Sequence, residues 1–299
     1  MKLSEPLIIH SEFPVFVFSN PLESESFERL RREFPLSHRA AGDREFFTEA
    51  HSSSEDARLY SLIAESPAWS AFVAELLDKP FKRTLMAFLY SSRREWSSTF
   101  DYLRLLSRTL MTKTFVTVSL HTGIRGYGLS PHTDKADKFA ALILYFGGEN
   151  ESAESSGGTT FFRPKSVRES RKYLRRRTGL DKGIWSCFPF KLLPLTSAIL
   201  PRTYSGADRQ ANFEHREIKE FHDLHEPFFT SRFTPNTLAL FFKDQLTWHE
   251  VDLSDFPAGV ERRTLLINVY CSPTHLVRLI HKLRQLVTRL KTNGVRFDA

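Results

Sequence analysis

Apolar side chains fall into two rhythms along this chain. Over residues 14–18, 114–120, 139–146, 159–162, 236–242 and 262–270, β-branched, aromatic and aliphatic residues alternate with polar ones or run together. Gly, Pro, Asn and polar clusters bound these runs, which read as strands. Elsewhere the spacing is helical. Phe27, Leu30 and Phe34 share one face, with Ser24 or Ser26 as the expected cap and Pro35 as the stop. Between residues 54 and 91 a longer helical pattern carries Leu59, Leu62, Ile63, Trp69, Phe72, Val73, Leu76 and Leu77, and Pro80 is expected to break it. The clearest stripe lies in residues 274–292, where Leu276, Leu279, Ile280, Leu283, Leu286, Val287 and Leu290 recur on one side. Arg278, Lys282, Arg284, Arg289 and Lys291 occupy the others. This is read as a packing helix with a snorkelling basic face.

The intervals are less regular. Gly123, Gly126 and Gly128 mark a loop, and residues 149–156 read as a polar, hairpin-like connection. Residues 163–231 follow no single rhythm. A short basic helix is expected at 167–177, Pro189 and Pro194 interrupt an aromatic stretch, and 214–225 is polar and rich in His. A structureless loop of this length is unusual inside a compact domain, so partial helices and hairpins are expected there. No internal repeat is visible.

Composition narrows the picture modestly. The chain has 299 residues, 41% of them hydrophobic, and its 27 Phe can fill the two faces of a sheet sandwich. No apolar run is long enough to span a bilayer, and the N-terminus lacks the apolar core of a signal peptide. With only Cys187 and Cys271, a disulfide scaffold is excluded and a reducing cytoplasmic setting is expected. The formal charge of +7 is local. Residues 163–182 hold nine of the 42 basic and two of the 35 acidic residues, which leaves 33 of each elsewhere. A solvated helix face is the plainer account of that run. Attraction of an anionic substrate or nucleic acid is the alternative, although Tyr173 is the only aromatic within it that could stack on a base.

Candidate chemistry centres on His132 and Asp134. In an extended chain residues i and i+2 project to one side, so the imidazole and carboxylate can meet one ion. That pair suits Fe(II), Mn(II) or Zn(II). Alone, His-x-Asp is weak. Downstream, however, strand 236–242 is followed by Trp248-His249, and then by Arg262-Arg263-Thr264 opening another strand. His121, His215, His222 and His225 compete as ligands, but surface or structural roles account for them better.

The ordered set His132, Asp134, His249 and Arg262, with Gly157-Gly158-Thr159-Thr160-Phe161-Phe162 between, resembles the Fe(II)- and 2-oxoglutarate-dependent dioxygenase superfamily, in particular its prolyl-hydroxylase-like branch. The resemblance spans roughly residues 114–272. It implies a mainly β fold, a double-stranded β-helix (jelly roll, cupin-like) with flanking helices, and one catalytic domain over 1–299. Within it, 1–113 would be helical support, 114–272 the barrel with an insertion at 163–231 over its mouth, and 273–299 a C-terminal helix. It further implies that His132, Asp134 and His249 hold Fe(II), with 2-oxoglutarate and O2 as cosubstrates. The outcome would be oxidation, foremost hydroxylation, of an unactivated C–H with release of succinate and CO2. Because Asp134 is a carboxylate, the related halogenases are disfavoured. The far carboxylate of 2-oxoglutarate would meet Arg262 beside Thr264. Alternation puts Arg262 with Thr264, Leu266 and Asn268, and Arg263 with Leu265, Ile267 and Val269; a bulge after Gly259 would reverse the assignment to Arg263. Oxidative demethylation of nucleic acid, or a non-catalytic binding role through 163–182, are the competing functions.

Overall fold

The computed structural model describes residues 1–3, 6–8, 15–35, 62–96, 112–134, 138–147, 151–178, 215–242 and 247–273. Expectations for the aromatic stretch around Pro189 and Pro194, for Cys187 and for the helix at 274–292 lie outside these residues, as does Leu59. In chain order the elements are β1 (Leu7–Ile8), β2 (Val15–Ser19), α1 (Ser24–Arg32), α2 (Pro67–Leu77), α3 (Lys79–Trp96), β3 (Thr112–Gly123), β4 (Gly128–His132) and β5 (Lys138–Tyr145). There follow α4 (Glu151–Ser156), β6 (Thr160–Pro164), α5 (Val167–Thr178), α6 (His215–Leu224), β7 (His225–Thr230), β8 (Thr237–Phe242), β9 (Trp248–Asp252) and β10 (Arg262–Pro273).

The strands form two antiparallel sheets. The larger runs β1-β2-β8-β5-β10-β3 and the smaller β4-β9-β6-β7. From β3 to β6 successive strands alternate between the sheets, β7 stays with β6, and alternation resumes through β10. The central strands β5, β8 and β10 of the larger sheet show one face to the smaller sheet and one to the helices. The helix-side face presents Leu265, Ile267 and Val269 of β10 with Ala140, Leu142 and Leu144 of β5. These pack against Leu30, Trp69, Leu76 and Leu85 of α1–α3. Trp69 is fully buried and donates its indole N–H to Leu30 O at 3.2 Å. Between the sheets lie Ala141, Ile143, Tyr145, Ala239 and Phe241 opposite Phe161 and Val251. A third cluster, Phe162, Tyr173, Phe221 and Trp248, joins α5 and α6 to the outside of the smaller sheet.

Several local expectations need correction. Neither Ser24 nor Ser26 caps α1: Glu23 stands at the N-cap and makes no side-chain cap bond. Pro80 does not end a helix. The chain breaks at Asp78, whose backbone is extended, and Pro80 sits in the first turn of α3, where its missing N–H costs nothing. Residues 151–156 form a short helix rather than a hairpin. Most consequentially, residues 225–230, counted with the insertion, form β7, which pairs with β6. Pro227 hid it, because proline cannot donate to a ladder; β7 lies at the sheet edge, where that is tolerated.

Candidate metal centre

Two strands of the smaller sheet bring the expected ligands together. β4 pairs with β9 so that His132 lies directly opposite His249, after a register shift between Leu129 and His132. The ligand atoms of His132, Asp134 and His249 all lie within 4.8 Å of one another. The imidazole rings of His132 and His249 are 4.3 Å apart, and His249 Nε2 is 4.0 Å from Asp134 Oδ2. His249 projects between the sheets because its neighbour Trp248 belongs to the cluster on the opposite face.

The protonation states suit a cation. His132 Nδ1 lies 2.9 Å from Ser130 O, and His249 Nδ1 lies 3.4 Å from Thr247 O. A carbonyl accepts, so each Nδ1 carries a proton, and Nε2 is the nitrogen each ring would offer to a metal. Burial, reinforced by the neighbouring His132, pushes His249 down to about 3, so its ring is neutral at ordinary pH. Two imidazoles and one carboxylate on one side of a shared point are the donor set of a hard-to-borderline divalent ion with open positions. The residues fit the metal that the sequence implied.

Deeper between the sheets, Arg262 is buried at 6% exposure. Its Nε donates to Gly157 O at 2.6 Å and one terminal nitrogen donates to Thr159 Oγ1 at 3.3 Å. Its Cζ lies 5.6 Å from the Tyr145 ring and 6.0 Å from the Phe233 ring. Tyr145 in turn donates to Thr159 Oγ1 at 2.9 Å and meets Ser231 Oγ at 2.6 Å. The approach is close enough that both glycines are needed: a Cβ on Gly158 would fall 1.7 Å from Ser231 O, and one on Gly157 2.7 Å from the Phe256 ring. Burial lowers the Arg262 pKa from its ordinary value, with Tyr145 and Tyr127 opposing, yet a guanidinium stays charged in proteins. Tyr127, also by burial, is pushed up to about 12. Among the described residues no carboxylate pairs with Arg262. Arg263 points to the other side and pairs with Glu261 at 3.3 Å.

Thr264 shares the inner face with Arg262, and its hydroxyl reaches His121 O at 3.5 Å, a marginal bond. His121, bonded to Ser119 at 2.9 Å and held near 3 by burial, lines the same face without joining the triad. His222 is exposed, and His225 is buried against Ser170 rather than near the metal ligands. The sequence reading missed Lys138, Tyr145 and Thr159. Tyr145 had a usable signal, an odd-numbered position in step with Ala141 and Ile143. Lys138 had none, because a bulge reverses its side.

Among the described residues no helix is long and apolar enough to cross a membrane. No family model matches the chain, and no curated protein matches it. Among solved structures it is similar to SnoN, a non-heme alpha-ketoglutarate-dependent epimerase from nogalamycin biosynthesis. The TM-score is 0.39 at 12% identity, covering 90% of this chain and 85% of that one. It is also similar to EvdO2 from Micromonospora carbonacea var. aurantiaca, at a TM-score of 0.34 and 8% identity over 88% and 89% of the two chains. The 2-oxoglutarate complex of EvdO2 gives the same TM-score at 10% identity. Superposition at this level is partial, and the metal centre stands on its own residues.

Proposed function

We propose that the protein is an Fe(II)- and 2-oxoglutarate-dependent oxygenase, with His132, Asp134 and His249 as the iron ligands and Arg262 as the anchor for the far carboxylate of 2-oxoglutarate. The observation that carries this reading is the coexistence, between one pair of sheets, of a facial His-Asp-His set and a buried arginine with no carboxylate partner among the described residues. A buried, unpaired cation is costly, and a dicarboxylate reaching from the metal to Arg262 would relieve it. The alternation of strands between sheets supports the double-stranded β-helix reading, in which 1–299 acts as one unit with helices α1–α3 as its support.

Bound iron would supply O2 activation coupled to oxidative decarboxylation of 2-oxoglutarate, and hydroxylation of an unactivated C–H is the outcome we favour. The chain's own part is to present two Nε2 lone pairs and one carboxylate, and to leave the remaining metal positions open. Gly157, Thr159 and Tyr145 hold the guanidinium in one orientation. Phe161 and Phe241, packed against His249, keep bulk water from the ligand cluster. The test is succinate production from 2-oxoglutarate by purified protein, with and without Fe(II) and a reductant. Iron-dependent succinate, lost in His249→Ala, is expected. Retention on DNA or RNA with no turnover under any condition would favour the non-catalytic binding role instead.

A further inference from the structure

Asp134 has two carboxylate oxygens, and the protein treats them differently. Oδ2 faces the other ligands, 4.0 Å from His249 Nε2. Oδ1 accepts a hydrogen bond from the Lys138 ammonium at 2.6 Å. The two side chains are 8% exposed for Lys138 and 10% for Asp134, and a lysine is rarely that buried unless it is paired.

Lys138 reaches this place through a bulge. β10 pairs Val269 with Ala140 but Tyr270 with Lys138, so Phe139 is the extra residue. Without the bulge Lys138 would share the helix-side face with Ala140, Leu142 and Leu144; with it, Lys138 sits on the face of Asn268 and Tyr270. An ion pair made only for stability has no preference between the two oxygens. Here the ammonium takes the one that does not face His249.

A carboxylate binds a divalent ion through one oxygen or through both. Binding through both would place a fourth protein atom at the metal, in a position that the proposed cosubstrates need. A short, charge-assisted bond holds Oδ1 on the ammonium instead. Outer partners of this kind orient metal-binding side chains.

Resting on the metal-centre reading, we infer that Lys138 is a positioning residue. By holding Asp134 Oδ1 it sets the carboxylate so that Oδ2 alone reaches the metal, and one more metal position stays open. It acts through Asp134, and metal binding leaves the Lys138–Asp134 bond in place.

The test exploits the fact that an ammonium donates and cannot accept. In Asp134→Asn, Lys138 must take the amide carbonyl, which turns the NH2 group toward the metal and removes the ligand lone pair. In Asp134→Asn combined with Lys138→Met, the amide can turn its carbonyl to the metal. Mn(II) affinity is read from the electron paramagnetic resonance of free Mn(II), with circular dichroism to check that each protein is folded. Lys138→Met should improve affinity about tenfold more in the Asp134→Asn background than in the wild-type background. Equal improvement in both would be mere removal of a repelling charge and overturns the inference, as does no improvement at all.

A second measurement needs no change at Asp134. With Mn(II) and 2-oxoglutarate bound, Lys138→Met releases Oδ1 to the metal and should relax water protons about twofold less than wild type. Lys138→Arg, which keeps a charged donor, should behave as wild type. Equal relaxation by wild type and Lys138→Met overturns the inference. A wild type that binds Mn(II) but not 2-oxoglutarate removes the oxygenase reading alone, and the affinity comparison still decides the role of Lys138. A wild type that binds no Mn(II) removes the metal centre, and this inference with it.

Discussion

Adjacent residues on β10 are set apart by direction alone. Arg262 points between the sheets, and Arg263 points outward to Glu261. A lysine can replace the charge of either but not the forked donors of a guanidinium. Arg262→Lys should therefore weaken 2-oxoglutarate binding at least tenfold while Arg263→Lys changes it by less than twofold, as read by calorimetric titration of the Zn(II) form. The opposite ranking would move the anchor to Arg263. Asp134 shows a different residue-level coupling. Its removal does more than delete a ligand, because Lys138 then lies buried without its carboxylate. Asp134→Ala should destabilise the metal-free protein by roughly 3–5 kcal/mol in urea melts. Asp134→Ala combined with Lys138→Met should recover most of that while still binding no metal. If the double variant is as unstable as the single one, the pair contributes no such coupling.

At the scale of elements, the basic helix α5 is fastened to the smaller sheet by a buried hydrogen bond. Ser170 meets His225 Nε2 at 2.6 Å, and His225 Nδ1 lies 3.0 Å from Phe221 O. Burial holds His225 down to about 4, against 6.5 in an unfolded chain. Between those values the unfolded state binds more protons, so this contribution is complete above pH 6.5 and is lost as pH falls toward 4. Stability should drop by roughly 2–3 kcal/mol across that window on account of this residue. His225→Gln should flatten that part of the profile while lowering stability at pH 8. An unchanged slope in the variant would assign the acid sensitivity to other groups. The residues of α5 that made the sequence strongly basic thus ride on an element docked by this hydrogen bond and by the apolar contacts of Tyr173.

Over the whole molecule, the ligand set links segments that are far apart in the chain: β4 with the residues after it, and β9. An ion bound by the folded state alone stabilises it by mass action, about 2.7 kcal/mol at a hundred times its dissociation constant. Saturating Mn(II) should raise the unfolding free energy by that amount in wild type and by nothing measurable in His249→Ala, followed by thermal or urea melts. A shift that survives in His249→Ala would place the ion elsewhere. The helical layer has a separate role. Trp69 fills the outer face of the larger sheet, and Trp69→Ala would cost about 3–5 kcal/mol in that core.

Periodicity by itself marked the strands β2, β3, β5, β6, β8 and β10 and the helices α1, α2 and α5, and which side of β10 each arginine takes. A twofold repeat carries that information wherever the strand is regular. It also allowed His132 and Asp134 to be seen as a pair, since neighbours on one strand share a side. Three things were decided only by tertiary structure. The first is that His249 lies opposite His132, because pairing between distant strands is set by the register of β4 on β9. The second is that residues 225–230 join the core sheet, where an edge position accommodates Pro227. The third is Lys138. One extra residue at Phe139 turns it from the apolar helix-side face to the ligand cluster, and no local pattern announces a bulge imposed by the partner strand.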